Sequence, residues 1–247
     1  MRTISRYLNQ TAGIADLSNS SMKTLQSPYI VSVQVGMPQT LGKEYAVNAN
    51  DRPWSTGIYK TPVTESLWLS FTNLDGDGQA DLTVHGGYEK AVLGYAAEHY
   101  PLWQKELKQD DFTYGAFGEN FTIEGMNEDT VCIGDTFQVG TAIVQVSQPR
   151  SPCWKLSQRW QIKSLPARVV ATGRSGWYFR VLQEGYVQVN LPMYLLKQGC
   201  EEWTIARVNE IFYGKRFDTS EVIRLAECLY LNDGLRSYLL QEVQYWD

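Results

Sequence analysis

The chain has 247 residues, of which 43% are hydrophobic and 20% charged, and its net charge is −5. This balance is typical of a globular protein that buries a large core without needing disulfide bonds. The acidic charge argues against general binding to nucleic acids or anionic membranes, although it leaves room for a local basic pocket. No run of about 18 apolar residues predicts a membrane span.

The four cysteines, Cys132, Cys153, Cys200 and Cys228, form no C-x-x-C pair. Their scattered spacing predicts reduced thiols rather than a zinc site, and therefore a cytoplasmic protein. The N-terminal residues also lack the uninterrupted apolar core of a secretory signal. Cys132 and Cys228 lie among apolar neighbours, which indicates packing rather than reactivity.

The first half of the chain is predicted to begin with a polar extension, residues 1–27, followed by strands. Residues 29–35 alternate apolar and polar side chains, the period of a half-buried strand. Residues 54–60 and 66–71 are predicted to be two more strands. Residues 88–108 predict a long helix, in which Pro101 causes a kink or a restart.

The second half is predicted to return to β structure and then to end in helices. Residues 121–146 predict a meander of closely spaced strands, and residues 177–189 a hairpin turning near 184–185. Between them, residues 165–172 predict a helix that begins after Ser164 and ends at Gly173. Beyond residue 202, apolar residues at helical spacing predict three short helices, the second capped by Ser220 and the third by Asp233.

These elements predict a mainly β, α+β fold with two parts. A β domain occupies residues 28–200, and a three-helix module occupies residues 201–247. The helical module alone would have a thin core, so we expect it to dock on the β domain.

The most informative segment for chemistry is VSQPRSPCWKL, residues 146–156. Two prolines stiffen the loop that precedes Cys153. Arg150 and Lys155 are close in sequence, and nearby cations favour the thiolate, the form of cysteine that binds metals or attacks electrophiles. The same cations suit a phosphate. An unreactive buried cysteine at the end of a strand is an equally weighted alternative on the local sequence.

A second segment, VHGGYEKAV, places His85, Gly86, Gly87 and Lys90 just before the predicted helix. Backbone N–H groups at such a position suit an anionic ligand, and Lys90 adds positive charge. A plain tight turn is the favoured alternative on the local sequence alone. His85 could donate a proton, orient a ligand or simply pack.

A third segment, FGEN, contains Gly118, Glu119 and Asn120 on a turn. A carboxylate and an amide there could bind the donors and acceptors of a heterocycle, although an ordinary turn is the better explanation in isolation. The acidic run at residues 75–81 lacks the glutamate that an EF-hand requires at its twelfth position. It is therefore predicted to be a solvated turn.

Together, VHGGYEKAV, FGEN and TAIVQVSQPRSPCWKL resemble in order and spacing the MOSC family, in particular its bacterial YiiM-like branch. The resemblance covers residues 29–196 and extends to the three-helix tail. It implies a β-rich domain with a barrel-like arrangement of strands that binds the molybdenum cofactor, Mo-molybdopterin. It further implies reduction of N-hydroxylated compounds such as hydroxylaminopurines and amidoximes or, as in sulfurase relatives, the handling of sulfur.

The resemblance also implies roles for residues. Cys153 matches the family's cysteine ligand to molybdenum, and is therefore the candidate metal ligand and catalytic residue. Asn120 matches a position at the pterin. The candidate cofactor-binding residues, all from the matching segments, are His85, Gly86, Gly87, Lys90, Gly118, Glu119, Asn120, Gln148, Arg150, Ser151 and Lys155.

Because the chain has no nucleotide or flavin motif, its electrons are expected from a partner reductase. Two alternatives stay open at this point. One is a cofactor carrier or sulfur-transfer protein in which Cys153 bears a persulfide. The other is a non-catalytic binding module that uses the helical tail as its interface. The oligomeric state is also open, with a dimer as one alternative.

Overall fold

The computed structural model describes residues 27–48, 51–214 and 218–246. The predicted extension therefore lies outside the described residues except for Ser27. The strands in the described ranges are β1 (Tyr29–Val35), β2 (Gln39–Leu41), β3 (Trp54–Thr56), β4 (Thr61–Val63), β5 (Leu67–Leu69), β6 (Val92–Ala96), β7 (Phe121–Glu124), β8 (Thr136–Val139), β9 (Ala142–Pro149), β10 (Trp177–Gln183), β11 (Gly185–Val187) and β12 (Met193–Lys197). The helices are α1 (His99–Leu107), α2 (Lys155–Trp160), α3 (Leu165–Thr172), α4 (Ile205–Phe212), α5 (Thr219–Ala226) and α6 (Asp233–Trp246).

One large sheet organises the molecule and confirms the mainly β, α+β prediction. It has eight strands in the order β12-β8-β9-β10-β6-β7-β1-β4. Among the described strands of this sheet, only β6 and β7 pair in parallel, and the other neighbours are antiparallel. Two small sheets, β11 with β5 and β2 with β3, complete the β structure.

The barrel-like arrangement is formed only in part. Among the described strands, no ladder joins the sheet edges β4 and β12, so the sheet is not a closed barrel. It nevertheless curls, because Tyr29 at the start of β1 forms an isolated bridge with Pro192, just before β12. The N–H of Ile30 also donates to the carbonyl of Leu191 at 3.0 Å. This contact brings two distant parts of the sheet together at one end.

The long helix predicted for residues 88–108 is wrong in its first half. Residues Val92–Ala96 are instead strand β6, buried on both faces in the middle of the sheet. Their short apolar run continues towards the following helix and cannot be distinguished from helix by periodicity alone, but pairing with β10 and β7 makes it a strand. Gly94 allows the close packing, since a Cβ there would lie 2.8 Å from the Phe179 ring. The helix begins only at His99, so Pro101 lies in its first turn, where proline is tolerated.

The predicted meander and second hairpin are also corrected. β8 and β9 form a hairpin, but β7 pairs with β1 and β6 rather than with β8. Likewise β10 pairs with β9 and β6, whereas β11 leaves the main sheet to pair with β5. The strand boundaries were readable from local pattern, but the partners depend on long-range contacts that period-two alternation does not encode.

Several smaller differences concern element ends. The strand predicted at residues 54–60 ends at Thr56, and helix α2 after Cys153 was not predicted. Helix α3 spans the predicted residues and ends at Gly173, but the Ser164 side chain does not cap it. The cap of α5 is Asp218 rather than Ser220, and this helix ends at Ala226 rather than near residue 230.

The three C-terminal helices α4 to α6 are present as predicted, and they share the core of the sheet. Apolar residues of the helical module join strand residues in one buried cluster; they include Trp203, Ile205, Val208, Val222, Leu225 and Leu239. The N–H of Asn232 donates to the carbonyl of Ser147 on β9 at 3.0 Å. None of the helices in the described ranges is long and apolar enough to cross a membrane.

A second, aromatic core lies beneath the candidate site. It includes Tyr95 from β6, Trp103 from α1, Phe117, Leu156 from α2 and Val169 from α3. The rings of Tyr95 and Phe117 are stacked with centroids 4.3 Å apart. This packed base fixes the turn at residues 117–120 and the start of α2, which form two sides of the pocket described next.

Candidate functional site

A pocket that is open to solvent at its mouth brings the three motif segments together. Eight of the twelve predicted site residues line it: His85, Gly86, Lys90, Gly118, Asn120, Arg150, Cys153 and Lys155. The other four, Gly87, Glu119, Gln148 and Ser151, are not part of the described lining.

Cys153 lies in the site loop, residues 150–154, which connects β9 to α2. The loop leaves the central strand with the N–H of Arg150 donating to the carbonyl of Gly176 at 3.0 Å. It re-enters helical structure where the N–H of Leu156 donates to the carbonyl of Cys153 at 3.1 Å. The Cys153 thiol is free and half-buried. A rigid loop thus presents one accessible thiol to the pocket.

Arg150 is the most unusual charged residue of the site, because its side chain is buried without an ion pair among the residues described. Its exposed fraction is 4%. One guanidinium nitrogen, Nη2, donates to the carbonyl of Phe117 at 3.0 Å. The other, Nη1, is buried and has no hydrogen-bond partner among the described residues. A buried cation with an unsatisfied donor lowers the stability of the folded protein. An anionic ligand that accepts a hydrogen bond from Nη1 would offset this loss.

The pocket has an excess of positive charge although the whole chain is acidic. Its lining contains four cationic side chains, Lys60, Lys90, Arg150 and Lys155, but one carboxylate, Asp77. Asp77 forms a buried ion pair with Lys60. Within the described ranges, the Lys155 ammonium forms no hydrogen bond or ion pair, and Lys90 Nζ donates to the carbonyl of Val84 at 3.0 Å. Within the described ranges, three positive charges of the lining therefore form no ion pair with a carboxylate, although the charge of Lys155 acts on the nearby Asp81.

The pKa of His85 is shifted by this electrostatic environment. Burial lowers the pKa of its imidazole, and the charges of Lys155, Arg150 and Lys90 lower it further. Burial also lowers the pKa of the Lys90 ammonium. His85 is therefore mainly neutral at pH 7, and is suited to hydrogen bonding rather than to carrying a fixed charge.

The paired glycines do not precede a helix, which corrects the physical reason given for their anion-binding role. Gly86 and Gly87 lie in a turn before strand β6 and have φ angles of +76° and +79°. Such angles suit glycine and let the chain turn sharply at the pocket. No helix dipole is available there, so positive charge at this wall comes from side chains such as Lys90.

Asn120 lines the pocket, but its side-chain amide is hydrogen-bonded mainly to other groups of the protein. Its Oδ1 accepts from the N–H of Leu93 at 3.1 Å. Its Nδ2 donates to Asp77 Oδ2 at 2.9 Å and to the carbonyl of Gln34 at 3.3 Å. Both amide hydrogens are thus used, and only a lone pair of Oδ1 is left for a ligand.

Glu119 points away from the pocket and is fully buried. Its carboxylate accepts from the N–H groups of Gly115 at 2.7 Å and Phe117 at 3.2 Å. It also accepts from the hydroxyls of Thr122 and Tyr100. Glu119 therefore holds the turn together from behind, and its contacts are structural.

Gln148 and Ser151 lie on either side of the loop entry. Gln148 is buried, and its Nε2 donates to the carbonyl of its neighbour Pro149 at 3.2 Å. Ser151 is exposed. Neither side chain is directed into the pocket lining.

Three titratable lining residues were missed by the sequence analysis. Asp77 was assigned to a solvated turn, but it is 6% exposed and accepts from the N–H of Gly36 at 3.0 Å. Its ion-pair partner Lys60 comes from a segment without a motif. Tyr178 on β10 lines the pocket, and burial raises the pKa of its hydroxyl. Only the run of aspartates and glycines around Asp77 gave a sequence signal.

The protein ligands available for a metal are few. Among the described residues, no group of three or more His, Cys, Asp or Glu side chains could hold an ion. A metal at Cys153 would therefore need most of its ligands from a cofactor. A thiolate-bound metal that arrives with its own sulfur ligands fits this donor set.

Comparisons with known proteins agree with the architecture. The MOSC domain family model matches residues 81–194. The Bacillus subtilis protein YflK is 39% identical over 213 residues, covering 86% of this chain and 93% of the relative. The crystal structure of YiiM from Geobacillus stearothermophilus superposes with a TM-score of 0.73 and 36% identity, covering 87% of this chain and 99% of that one.

A longer protein named Reductase, from Gibberella moniliformis, is also similar. It is 34% identical over 180 residues, which are 72% of this chain but 31% of that protein. The match therefore concerns one part of a larger polypeptide. Its remaining length has no counterpart in this chain.

Proposed function

This chain belongs to the MOSC domain family, and from that premise we propose that its pocket binds the molybdenum cofactor and reduces N-hydroxylated compounds. One observation carries the proposal. The buried Arg150 guanidinium has an unpartnered nitrogen in a pocket with excess positive charge, beside an accessible cysteine. An anionic, sulfur-rich metal cofactor satisfies all three features.

Arg150 and Lys155 are the groups that we assign to the cofactor's phosphate. Arg150 offers a planar donor fixed by the Phe117 carbonyl, and Lys155 offers an ammonium at the start of α2 that has no ion pair within the described ranges. Paired cations of this kind form charge-assisted hydrogen bonds with phosphate oxygens. Cys153, between them in sequence, is the thiolate ligand that we assign to molybdenum.

When bound, the cofactor would supply the two-electron redox chemistry at molybdenum. Conversion of an N–OH group to N–H needs two electrons and two protons and releases water. Lys90 Nζ is the proton donor that we assign, because burial lowers the pKa of its ammonium and makes it a stronger acid. Neutral His85 would orient the substrate oxygen by a hydrogen bond.

Electrons would come from a partner reductase. A larger similar protein carries the name Reductase, and the region matching this chain is about a third of it. We propose that this chain receives its electrons from a separate protein that it meets transiently. This chain would then be the terminal unit of a short electron-transfer path.

The direct test is a reduction assay with an artificial electron donor, which removes the need for the natural partner. Protein produced in a host that makes the cofactor would be mixed with reduced viologen and benzamidoxime, and benzamidine would be quantified. We expect turnover by the wild type and by Cys132→Ser, whose thiol is outside the pocket, but none by Cys153→Ala. A cofactor-loaded wild type that does not turn over would exclude the reductase assignment.

The half-exposed thiol also fits the sulfur-transfer alternative, and the same samples distinguish it. A persulfide on Cys153 releases its outer sulfur to cyanide as thiocyanate. Stoichiometric thiocyanate from wild type but not from Cys153→Ala, without benzamidoxime reduction, would favour the sulfur-transfer function.

A further inference from the structure

Cys200 and Cys228 face each other at the junction between the β domain and the helical module. Their Sγ atoms are 2.9 Å apart, although the residues are 28 positions apart in the chain. A disulfide bond is about 2.05 Å long, so each sulfur would move by only about 0.4 Å to form one. No other pair of thiols in the described part of the chain is in such contact.

Both backbones are held in place around this contact. The N–H of Cys200 donates to the carbonyl of Ile133 at 2.8 Å, which fixes the loop after β12. The carbonyl of Cys228 accepts from Arg236 Nη2 at 3.0 Å, which fixes the end of α5 against α6. The sulfurs are thus brought together by two independently anchored segments and do not depend on a flexible loop.

From this juxtaposition we propose that Cys200 and Cys228 form an intramolecular disulfide when a low-molecular-weight disulfide such as oxidised glutathione is present. The bond would close a loop containing α4 and α5 and join the helical module covalently to the β domain. This inference is independent of the function proposed for the pocket.

The chemistry balances with the oxidant as the electron acceptor. The Cys200 thiolate, on the more exposed residue, attacks the oxidant and releases one glutathione thiolate, leaving a mixed disulfide. The Cys228 thiolate then attacks the Cys200 sulfur and releases the second glutathione. Two protein S–H bonds are lost, one S–S bond forms, and two electrons and two protons pass to glutathione.

The surroundings make this reaction slow at neutral pH. Burial and the neighbouring Cys228 raise the pKa of the Cys200 thiol to about 12, and Cys132 and Asp135 also face it. At pH values below that pKa, each increase of one pH unit should raise the thiolate fraction, and therefore the oxidation rate, about tenfold. Because the reaction is slow, the disulfide should form during prolonged exposure to the oxidant and not during brief changes in oxidant concentration.

The bond would also affect the site indirectly, because the helical module contacts the site loop. The hydroxyl of Tyr213, the residue that follows α4, donates to the carbonyl of Arg150 at 3.5 Å. Tyr213 lies inside the loop that the disulfide would close. We therefore expect oxidation to stiffen the support of the Cys153 loop as well as the module itself.

The test uses the full-length wild type, incubated with oxidised glutathione at pH 7 to 9, alkylated and digested with trypsin without reduction. We expect a crosslink between the peptides at residues 198–207 and 225–236, formed faster at higher pH. Calorimetry should show a melting temperature roughly 5–10 °C higher for the oxidised than for the reduced protein. Cys228→Ser should show neither the crosslink nor the shift.

Glutathione attached to the half-exposed Cys153 serves as the internal control that the oxidant was active. Absence of the 198–207 to 225–236 crosslink in a sample with modified Cys153 would overturn the proposal. A crosslink to Cys132 in its place would also overturn it. Because the wild type is compared with itself in two redox states, the result does not depend on the folding of any variant.

Discussion

Two walls of the same pocket differ sharply in how their polar groups are satisfied. One wall is the turn at residues 117–120, where Glu119 and Asn120 have protein partners for their side chains. The other is the cationic wall formed by Arg150 and Lys155. Here one buried guanidinium nitrogen has no partner and one ammonium has no ion pair within the described ranges.

The difference separates stability from function within one site. Buried polar groups that are fully paired rigidify a fold, and removing one of them leaves its partners unsatisfied. Buried charges without partners cost stability and are retained where a ligand supplies the missing interaction. We therefore assign the first wall to holding the pocket open and the second to binding.

The largest expected effect is on stability, at Glu119. Glu119→Ala would leave four buried donors without their acceptor and should lower the free energy of unfolding by about 3 kcal/mol or more. Urea unfolding measures this, with the exposed Glu65→Ala as control. An equal loss in the two variants would show that the first wall is not structural.

The opposite behaviour is expected at Arg150. Arg150→Met keeps the bulk but removes a buried charge, so the cofactor-free protein should change in stability by less than about 1.5 kcal/mol. Its molybdenum content should fall at least tenfold, because the phosphate loses its central partner. A variant that unfolds as readily as Glu119→Ala would contradict the distinction between the walls.

A pH effect sharpens the comparison through His85. The pKa of His85 is lowered in the folded protein. Its contribution to the free energy of unfolding is therefore fully present above the unfolded-state pKa near 6.5 and is lost as the pH falls through the folded-state pKa. Lys155→Ala or added pyrophosphate should raise the His85 pKa. NMR titration can follow it, with His99, which is paired with Glu128, as the internal control. Equal behaviour of the two histidines would argue against a cationic wall.

The smallest effect is expected at Gln148, whose described side-chain bond is to the adjacent residue. Gln148→Ala should change the free energy of unfolding by less than about 1 kcal/mol and leave molybdenum content near that of wild type. Chemical denaturation and elemental analysis of the same preparation check both. A loss of cofactor in this variant would show that the cofactor-binding residues extend from the cationic wall into β9.

The sequence was a good guide wherever structure is set by near neighbours. Helix α3 and its end at Gly173, the β8–β9 hairpin and helices α4 to α6 follow from local periodicity and turn residues. Strand β6 was missed because a short apolar run beside a helix has the same local pattern as a buried helical turn, and only its two neighbouring strands make it a strand. Pairing energies of that kind lie outside any local window.

The candidate site shows the same division. The three motifs identified eight lining residues, since each motif carries its own charged or glycine residues. Asp77 appeared solvated because its partners, Lys60 and Asn120, are 17 and 43 residues away in the chain. The satisfaction of Asn120 and the unpartnered state of Arg150 likewise depend on contacts that only the fold determines.

The central claim is that the cationic wall and Cys153 together hold a molybdenum cofactor. The most direct measurement is molybdenum and pterin content of wild type, Cys153→Ala and Cys132→Ser made in a host proven to load another molybdoenzyme. We predict about one molybdenum and one pterin per chain in wild type and Cys132→Ser, with molybdenum lost from Cys153→Ala. Wild-type protein without molybdenum or pterin from that host would contradict the account.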